Sequence, residues 1–330
     1  MSSATPVDLS SELDVSIVLP VYNERGHLIE ELDRIRAAMD RSSYSYEIIV
    51  VDDGSNDGSG DMLRELEGIR LLQFTHNRGS GSARKAGTQE SRGRVVVWTD
   101  VDMTYPNDQI PELVDALDGH DQVVGARTTE EGTHKFARVP AKWLIRKLAS
   151  YLTQTPIPDL NSGFRAFRRD VALQYLRFLP TGFSCVTTIT MTFLANHYSV
   201  HYIPIPYAER AGESKFHWRR DTSRYMNQVV RMILTYNPLR VFLPVGFALA
   251  FLGFIKLGFD LADTDFRVAT NTLLIFFSAF QLMVIGLLAD LIGRVSRPQL
   301  EVLPAMTPDT TIRLDEPAMS DELAAERLAN

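Results

Sequence analysis

The chain reads as an α/β protein: a mostly parallel sheet with helices on both faces, followed by a hairpin of two membrane-length helices. Three observations predict this. Short β-branched runs alternate with helical patterns from Val15 onward, and each run ends in a turn rich in Asp, Asn or Gly. Two long apolar stretches, Val241–Leu261 and Thr272–Gly293, follow near the C-terminus. Strands alternating with helices indicate βαβ units and parallel pairing.

Val15–Pro20 is a short apolar strand ended by proline, and Tyr22-Asn23-Glu24 follows it. A helical pattern runs from about Gly26 to Arg41, with Leu28, Leu32, Ile35 and Met39 recurring on one face. A second strand, Glu47–Val51, leads straight into Asp52-Asp53-Gly54-Ser55-Asn56-Asp57-Gly58. A helix over Ser59–Glu67 and a strand over Ile69–Phe74 come next. His76-Asn77-Arg78-Gly79-Ser80-Gly81-Ser82-Ala83-Arg84 then opens a helix that continues through Glu90. The fourth strand, Val95–Thr99, runs into Asp100-Val101-Asp102 and breaks at Tyr105-Pro106-Asn107.

Residues 108–119 read as a helix and Asp121–Arg127 as a further strand, while 128–137 are polar and read as mobile. Arg138–Leu152 reads as a helix carrying Arg138, Lys142, Arg146 and Lys147. Asp159–Arg165 is turn-rich and feeds another helix. The polar clusters after the first four strands each follow a strand directly, which places them on one edge of one sheet. That is the edge where open α/β sheets bind ligands.

The net charge of −7 over 330 residues gives no sign of nucleic-acid binding. It is concentrated at the C-terminal end. Residues 298–330 hold seven acids (Glu301, Asp309, Asp315, Glu316, Asp321, Glu322, Glu326) against Arg313 and Arg327, so that this tail carries −5 and the remainder −2. With four prolines and no aromatic residue, the tail, from 294 onward, reads as acidic, mostly disordered and cytosolic, with a short helix near Asp321–Leu328. The single cysteine, Cys185, excludes a disulfide framework and fits a reducing compartment. Residues 1–14 are polar and acidic; they read as disordered and not as a signal peptide.

At roughly 1.5 Å per residue, each of the stretches 241–261 and 272–293 reaches across a bilayer core of about 30 Å. Lys256, Asp260 and Asp290 lie toward the ends of these spans, where charged side chains reach the interface. Arg231, Arg240, Arg294 and Arg297 flank the hairpin on the domain side, and the intervening loop offers Asp263, Asp265 and Arg267. Positive flanks stay cytosolic. The expected arrangement is therefore a multi-pass protein of the plasma (inner) membrane, with its large domain, residues 15–214, and both termini in the cytosol. Residues 215–240 mix Trp218, Tyr225 and aliphatic residues with Arg219, Arg220, Arg224 and Arg231. They read as an interfacial amphipathic helix, or else as a surface helix packed on the domain.

Asp100 and Asp102 stand two apart at a strand end. Such a pair suits a hard divalent cation that also grips a diphosphate, because Mg²⁺ is typically held by one or two carboxylates plus phosphate oxygens. Asp52, Asp53 and Glu24 can accept from a base N–H or a ribose hydroxyl. Gly54, Gly79 and Gly81 allow close backbone approach, or mark ordinary tight turns.

The order Pro20-Val21-Tyr22-Asn23-Glu24, Val51-Asp52-Asp53-Gly54-Ser55, Asn77-x-Gly79-x-Gly81-x-Ala83, Asp100-x-Asp102 resembles glycosyltransferase family 2, with its Rossmann-like GT-A fold. Asp159-x-x-Ser162-Gly163-Phe164-Arg165 and Arg210-x-Gly212-x-Ser214-Lys215 look like its dolichol/polyprenol-phosphate sugar synthase branch. The resemblance covers about residues 15–216 and implies transfer of one sugar from a UDP- or GDP-linked donor to a polyprenyl phosphate with inversion, using Mg²⁺ or Mn²⁺, in a homo-oligomer. It implies that Pro20, Tyr22, Glu24 and Asp53 hold the nucleoside, that Asp100 and Asp102 hold the metal and diphosphate, and that Arg127 lies beside the phosphates. Arg146, Ser150, Arg210 and Lys215 would face the acceptor phosphate. Among donors it favours a UDP-hexose, then GDP-mannose.

Two positions depart from the family pattern. Thr104 stands where a further metal-binding Gln is common, so Thr104 or water takes that place. Thr187 and Thr188 stand where a glutamate is common. Two other readings remain: a processive polysaccharide synthase, since Gln228-Val-Val-Arg231-Met232 resembles a Q-x-x-R-W element, and a silent membrane-anchored scaffold.

Overall fold

The computed structural model describes residues 13–128, 156–208, 238–263, 268–295 and 310–313. The chain divides into two units, one of residues 1–138, 157–216 and 301–330, the other of 139–156 and 217–300.

The first unit is built on strands β1 (Val15–Val21), β2 (Tyr46–Asp52), β3 (Arg70–Phe74), β4 (Val95–Trp98), β5 (Gln122–Arg127), β6 (Arg165–Arg168), β7 (Val200–Ile205) and β8 (Thr310–Arg313). They form one eight-stranded sheet in the order β7-β5-β6-β4-β1-β2-β3-β8. Strands β1, β2, β3 and β4 are parallel, in register from Val15 beside Tyr46 and Val95. From β1 the chain winds outward through β2 and β3, then returns to place β4 on the other side of β1. The crevice beyond the ends of β1 and β4 is therefore the switch point at which such sheets take up ligands.

Alternation along the strands sends side chains to two separate cores. Val15, Ile17, Leu19, Val21, Ile48 and Val50 pack against Leu28, Leu32, Ile35 and Met39 of helix α1 (Leu28–Met39) and against Ile110 and Leu113 of α4 (Ile110–Asp115). On the opposite face Val18, Ile49, Val51 and Trp98 meet Ala83 and Ala86 of α3 (Ser80–Glu90), Val171 of α5 (Arg169–Leu173), and Ile189 and Phe193 of α6 (Cys185–Ala195). Helix α2 (Ser59–Glu65) adds Leu63 to the first core. The predicted helix over 108–119 is shorter: one 3₁₀ turn at Asn107–Gln109 followed by α4, with Pro111 in the first turn.

Three strands differ from the sequence reading. β6 intervenes where Asp159–Arg165 was expected to feed a helix directly, and it runs antiparallel to both β4 and β5. β7 pairs with β5 in parallel along the sheet margin. Within the acidic tail, the β-branched run Thr310-Thr311-Ile312 enters β8, antiparallel to β3. Asp321–Leu328, the mobile reading of 129–137, the helix over 138–152 and the amphipathic helix at 215–240, Pro238–Arg240 apart, lie outside the described residues.

The second unit contains α7 (Leu239–Asp263) and α8 (Thr270–Val295). Each includes a 24-residue stretch long and apolar enough to cross a membrane, with mean hydropathy 2.0 and 2.3 and only 11% and 17% of the window covered by the chain itself. The two helices pack closely: a Cβ on Gly253 would stand 3.2 Å from the Phe276 ring, which meets Phe254 edge-on at 5.0 Å. At the hairpin turn, Asp260 accepts from Lys256 at 3.0 Å, from the Ala269 N–H at 3.2 Å and from the Thr272 hydroxyl, tying the end of one helix to the start of the next.

Candidate functional site

Because β1 to β5 and β7 run the same way, their C-terminal ends share one edge of the sheet. β6 runs oppositely, so its beginning, with the loop Asp159–Phe164 before it, arrives at that same edge. The sequence thereby brings Tyr22–Glu24, Asp52–Asp57, Asn77–Gly81, Asp100–Thr104, Arg127 and Asp159–Arg165 to one border. Pro20, Tyr22 and Glu24 are each half-buried there.

The β1 and β2 ends are laced together. Asn23, at φ 54°, donates its N–H to Ser55 Oγ at 3.0 Å and accepts from the Asn56 N–H at 2.9 Å. Glu24 N–H reaches Ser59 Oγ at 3.2 Å.

Asp102 is buried at 7% exposure, and its Oδ1 accepts from the Thr104 hydroxyl at 2.5 Å and the Thr104 N–H at 3.3 Å. Thr104 therefore orients Asp102. Asp100 is more open, with its side chain 32% exposed, and its Oδ1 accepts from Arg84 Nη2 at 2.5 Å. Between the two carboxylates and Thr104 the loop turns back through Met103 at φ 62°. Asn107 closes it: the side-chain amide donates to the Asp100 carbonyl at 3.0 Å and to buried Glu31, and accepts from the Thr99 hydroxyl. Glu31 sits in the core on α1, where burial holds its carboxyl above the usual range against the pull of Asn107 and Arg34.

This donor set fits a divalent cation of the oxygen-loving kind. Two carboxylates stand two residues apart beyond the end of β4, one of them accessible, and among the described residues no cluster of three or more His, Cys, Asp or Glu forms an all-protein cage. Two carboxylates with the remaining positions left to phosphate and water is the usual way Mg²⁺ is held.

Asp52 and Asp53 are both buried, at 3% and 2% exposure. Asp52 accepts from the Ser55 N–H at 3.0 Å and from Gln73 Nε2 at 3.1 Å. Asp53 accepts from the Arg78 and Gly79 N–H groups at 2.6 and 2.8 Å, clasping the β3–α3 loop to the end of β2. Burial raises its pKa, and those two N–H groups oppose the shift. Gly79 and Gly81 are demanded by close approach, but what approaches is the chain itself. A Cβ on Gly79 would fall 2.5 Å from the Thr181 carbonyl, and one on Gly81 would fall 2.7 Å from the Gly182 carbonyl and meet that of Pro180 as well. Their signal was legible in the sequence; their partner, the loop before α6, was not.

Arg127 extends from the end of β5 into a bidentate pair with Asp159, Nε to Oδ2 at 2.6 Å and Nη2 to Oδ1 at 3.0 Å, and its guanidinium lies over the Tyr207 ring at 5.1 Å. Burial opposes both charges, but the pair prevails: the Arg127 pKa is raised and that of Asp159 lowered. Arg165, wholly buried, donates to the Ser162 and Val186 carbonyls and to Thr190 Oγ1 at 2.7 Å, and burial brings its pKa down to about 10. Gly163 is packed against the Arg84–Asp100 ion pair: a Cβ there would stand 2.9 Å from Asp100 Oδ2 and 3.3 Å from Arg84 Nη2. Its N–H donates to the Tyr105 hydroxyl at 2.7 Å. Thr187 donates to Asn161 Oδ1 at 2.9 Å, and Thr188 to the Ser184 carbonyl at 2.9 Å. Arg146, Ser150, Arg210 and Lys215 lie outside the described residues.

Sequence reasoning missed Arg84, Glu31 and Asn107 as site residues. Each partner is 7 to 76 positions away, and no local pattern links them.

Residues 16–176 match the glycosyl transferase family 2 domain and residues 237–295 the GtrB C-terminal hairpin. An undecaprenyl-phosphate 4-deoxy-4-formamido-L-arabinose transferase of Aeromonas hydrophila is 34% identical over 301 residues, covering 85% of this chain and 89% of that one. The protein of the same name from Pseudomonas aeruginosa is 33% identical over 311 residues, 88% of this chain and 86% of its own. Among solved structures, glucosyl-3-phosphoglycerate synthase of Mycobacterium tuberculosis, crystallised with Mn²⁺, UDP-glucose and phosphoglyceric acid, superposes with a TM-score of 0.54 at 17% identity over 67% of this chain and 79% of that one. Mannosyl-3-phosphoglycerate synthase of Rubrobacter xylanophilus gives 0.51 at 24% identity, over 69% and 74%. These two share the GT-A fold. The chain belongs to glycosyltransferase family 2, in the polyprenyl-phosphate sugar synthase branch that pairs this domain with a C-terminal membrane hairpin.

Proposed function

We propose that the protein is a membrane-bound inverting glycosyltransferase that moves one sugar from a nucleotide-diphosphate sugar to a polyprenyl phosphate on the cytosolic face. The observation that carries this reading is the Asp100–Asp102 pair at the β1/β4 crevice, in a chain that also carries two membrane-length helices matching the GtrB hairpin. The curated relatives, named for transfer to undecaprenyl phosphate, support the acceptor class.

On this reading Pro20, Tyr22 and Glu24, with Asp52 and Asp53 behind them, form the nucleoside side of the crevice. Asp53 acts by fixing the Arg78–Gly79 loop, and Gly79 and Gly81 act by admitting the 180–182 backbone. A Mg²⁺ or Mn²⁺ ion held by Asp100 and Asp102 would neutralise charge on the leaving diphosphate. Thr104 keeps Asp102 aimed by donating its hydroxyl at 2.5 Å, and the same oxygen, or water, would complete the ion's shell. Arg127, already paired with Asp159, shapes the phosphate side and contributes less than a full free charge. Arg146, Ser150, Arg210 and Lys215 supply the acceptor phosphate's counter-charges, arginine being able to bind bidentately. The attacking phosphate is largely ionised near neutral pH, its second pKa being about 6. It needs no strong general base, and its single in-line attack from the face opposite the leaving diphosphate inverts the anomeric carbon. The donor we favour is UDP-linked, with GDP-mannose second. The protein sits in the inner membrane with both termini cytosolic, as a homo-oligomer.

The test is a donor screen on the detergent-solubilised full chain with a short polyprenyl phosphate and Mg²⁺ or Mn²⁺. UDP-glucose, UDP-4-deoxy-4-formamido-L-arabinose and GDP-mannose are offered in turn, and the lipid product is read by mass. A single added sugar from one donor, abolished by chelator and by Asp102→Asn, is the expected result. Nucleotide binding with no transfer to lipid from any donor would overturn the acceptor assignment, and a ladder of products would favour a processive enzyme.

A further inference from the structure

Glu31 is a carboxylate at 0% exposure on α1, among Leu28, Leu32 and Ile35, where an apolar residue would be expected. Burying such a group is unfavourable unless its partners are fixed. They are. Asn107, also at 0% exposure, donates from one nitrogen to Glu31 and, at 3.0 Å, to the Asp100 carbonyl, while its oxygen accepts from the Thr99 hydroxyl. Two acceptors on one side and a hydroxyl on the other leave a single orientation for the amide. The same helix holds the loop a second time: Arg34 donates to Glu31 and to the Tyr105 carbonyl, each at 3.3 Å, and pairs with Asp108. Between these anchors Met103 is left-handed, a conformation unfavourable for a residue with a side chain. Both side chains are buried, yet Asn107 grips the Asp100 backbone and Glu31 fixes the Asn107 amide that does so.

We infer that Glu31 and Asn107 are positioning residues for the cation: through the Thr99 hydroxyl and the Asp100 carbonyl they hold the two carboxylates in the arrangement that binds one ion. This rests on the proposal that Asp100 and Asp102 bind a divalent cation. Partners standing behind metal ligands typically account for about 10- to 100-fold in affinity.

The experiment is a Mn²⁺ titration of the full chain in detergent, with UDP and in parallel with GDP, following free Mn²⁺ by electron paramagnetic resonance. Wild type is compared with Asn107→Ala, Glu31→Gln and Asp102→Asn, and thermal midpoints and nucleotide affinity without metal are recorded for each. Asn107→Ala should weaken Mn²⁺ binding about tenfold or more, with metal-free nucleotide affinity unchanged. Glu31→Gln keeps an acceptor for Asn107 and should retain most of the affinity. If Asn107→Ala is too unstable to purify, Glu31→Leu, which removes the acceptor and suits the core, takes its place and should show the same loss. Wild-type Mn²⁺ affinity in a folded Asn107→Ala or Glu31→Leu protein would overturn the inference. Wild-type affinity in Asp102→Asn would instead overturn the cation site on which it rests.

Discussion

Arg84 Nη2 donates to Asp100 Oδ1 at 2.5 Å, so the first carboxylate of the pair is held by a buried cation of its own chain. Arg84 is only 2% exposed, whereas the Asp100 side chain is 32% exposed. The arginine depends on this contact for its burial more than the aspartate does.

Replacing Arg84 by Met should therefore destabilise modestly, since Asp100 can take water in exchange. A cost of about 1–3 kcal/mol is expected, read as a lowered unfolding midpoint in detergent. Turnover should fall further, and Arg84→Lys should not restore it, because a point charge lacks the planar fork.

Gly163→Ala should lower turnover while sparing stability. The new Cβ would stand 2.9 Å from Asp100 Oδ2 and 3.3 Å from Tyr105 Cε2. The exposed carboxylate yields most easily, so the site moves while the fold stays. A loss in kcat on the order of 100-fold with little change in thermal midpoint is expected.

Gly81→Ala meets backbone on every side, the Gly182 carbonyl and the Thr181 carbonyl carbon both 2.7 Å away. A backbone cannot rotate aside as a carboxylate can. This substitution should destabilise by about 1–3 kcal/mol. Gly26→Ala, with nothing within 4 Å, serves as the neutral control in the same assay.

The Arg127–Asp159 pair has a pH signature. Asp159 is held below its unfolded pKa of about 3.9, so its contribution to stability is complete above that value and is lost as pH falls through the depressed folded value. Asp159→Asn should lower stability at neutral pH and flatten the acid limb below about pH 4, as measured by denaturant unfolding across pH.

The parallel half of the sheet was legible in the sequence because each strand there is an apolar run cut off by a turn, as in Val15–Pro20 and Val95–Thr99. β6 was not. Arg165-Ala166-Phe167-Arg168 is four residues with an arginine at each end, and only tertiary burial turns Arg165 inward. β7, with His201 and Pro204, likewise breaks the expected strand composition. Asp100, Asp102 and Asp53 could be picked out by their place after strands. Glu31 looked like any polar helix residue, because its neighbour Asn107 lies 76 positions on. Position alone offers Thr104 or water as the further metal ligand, and only the geometry shows the Thr104 hydroxyl donating to Asp102.

The antiparallel strand β6 lies between β5 and β4, so the β5–β7 pair reaches β4 and the strands beyond it through β6. The chain as it leaves the ribosome can therefore pair β1 to β4 early. It must hold β5 unpaired until Arg165–Arg168 emerges. Gly163, which packs against Asp100, arrives in the same late segment. The carboxylate pair is thus finished only when the chain has grown well past Asp102, as β6 joins the sheet.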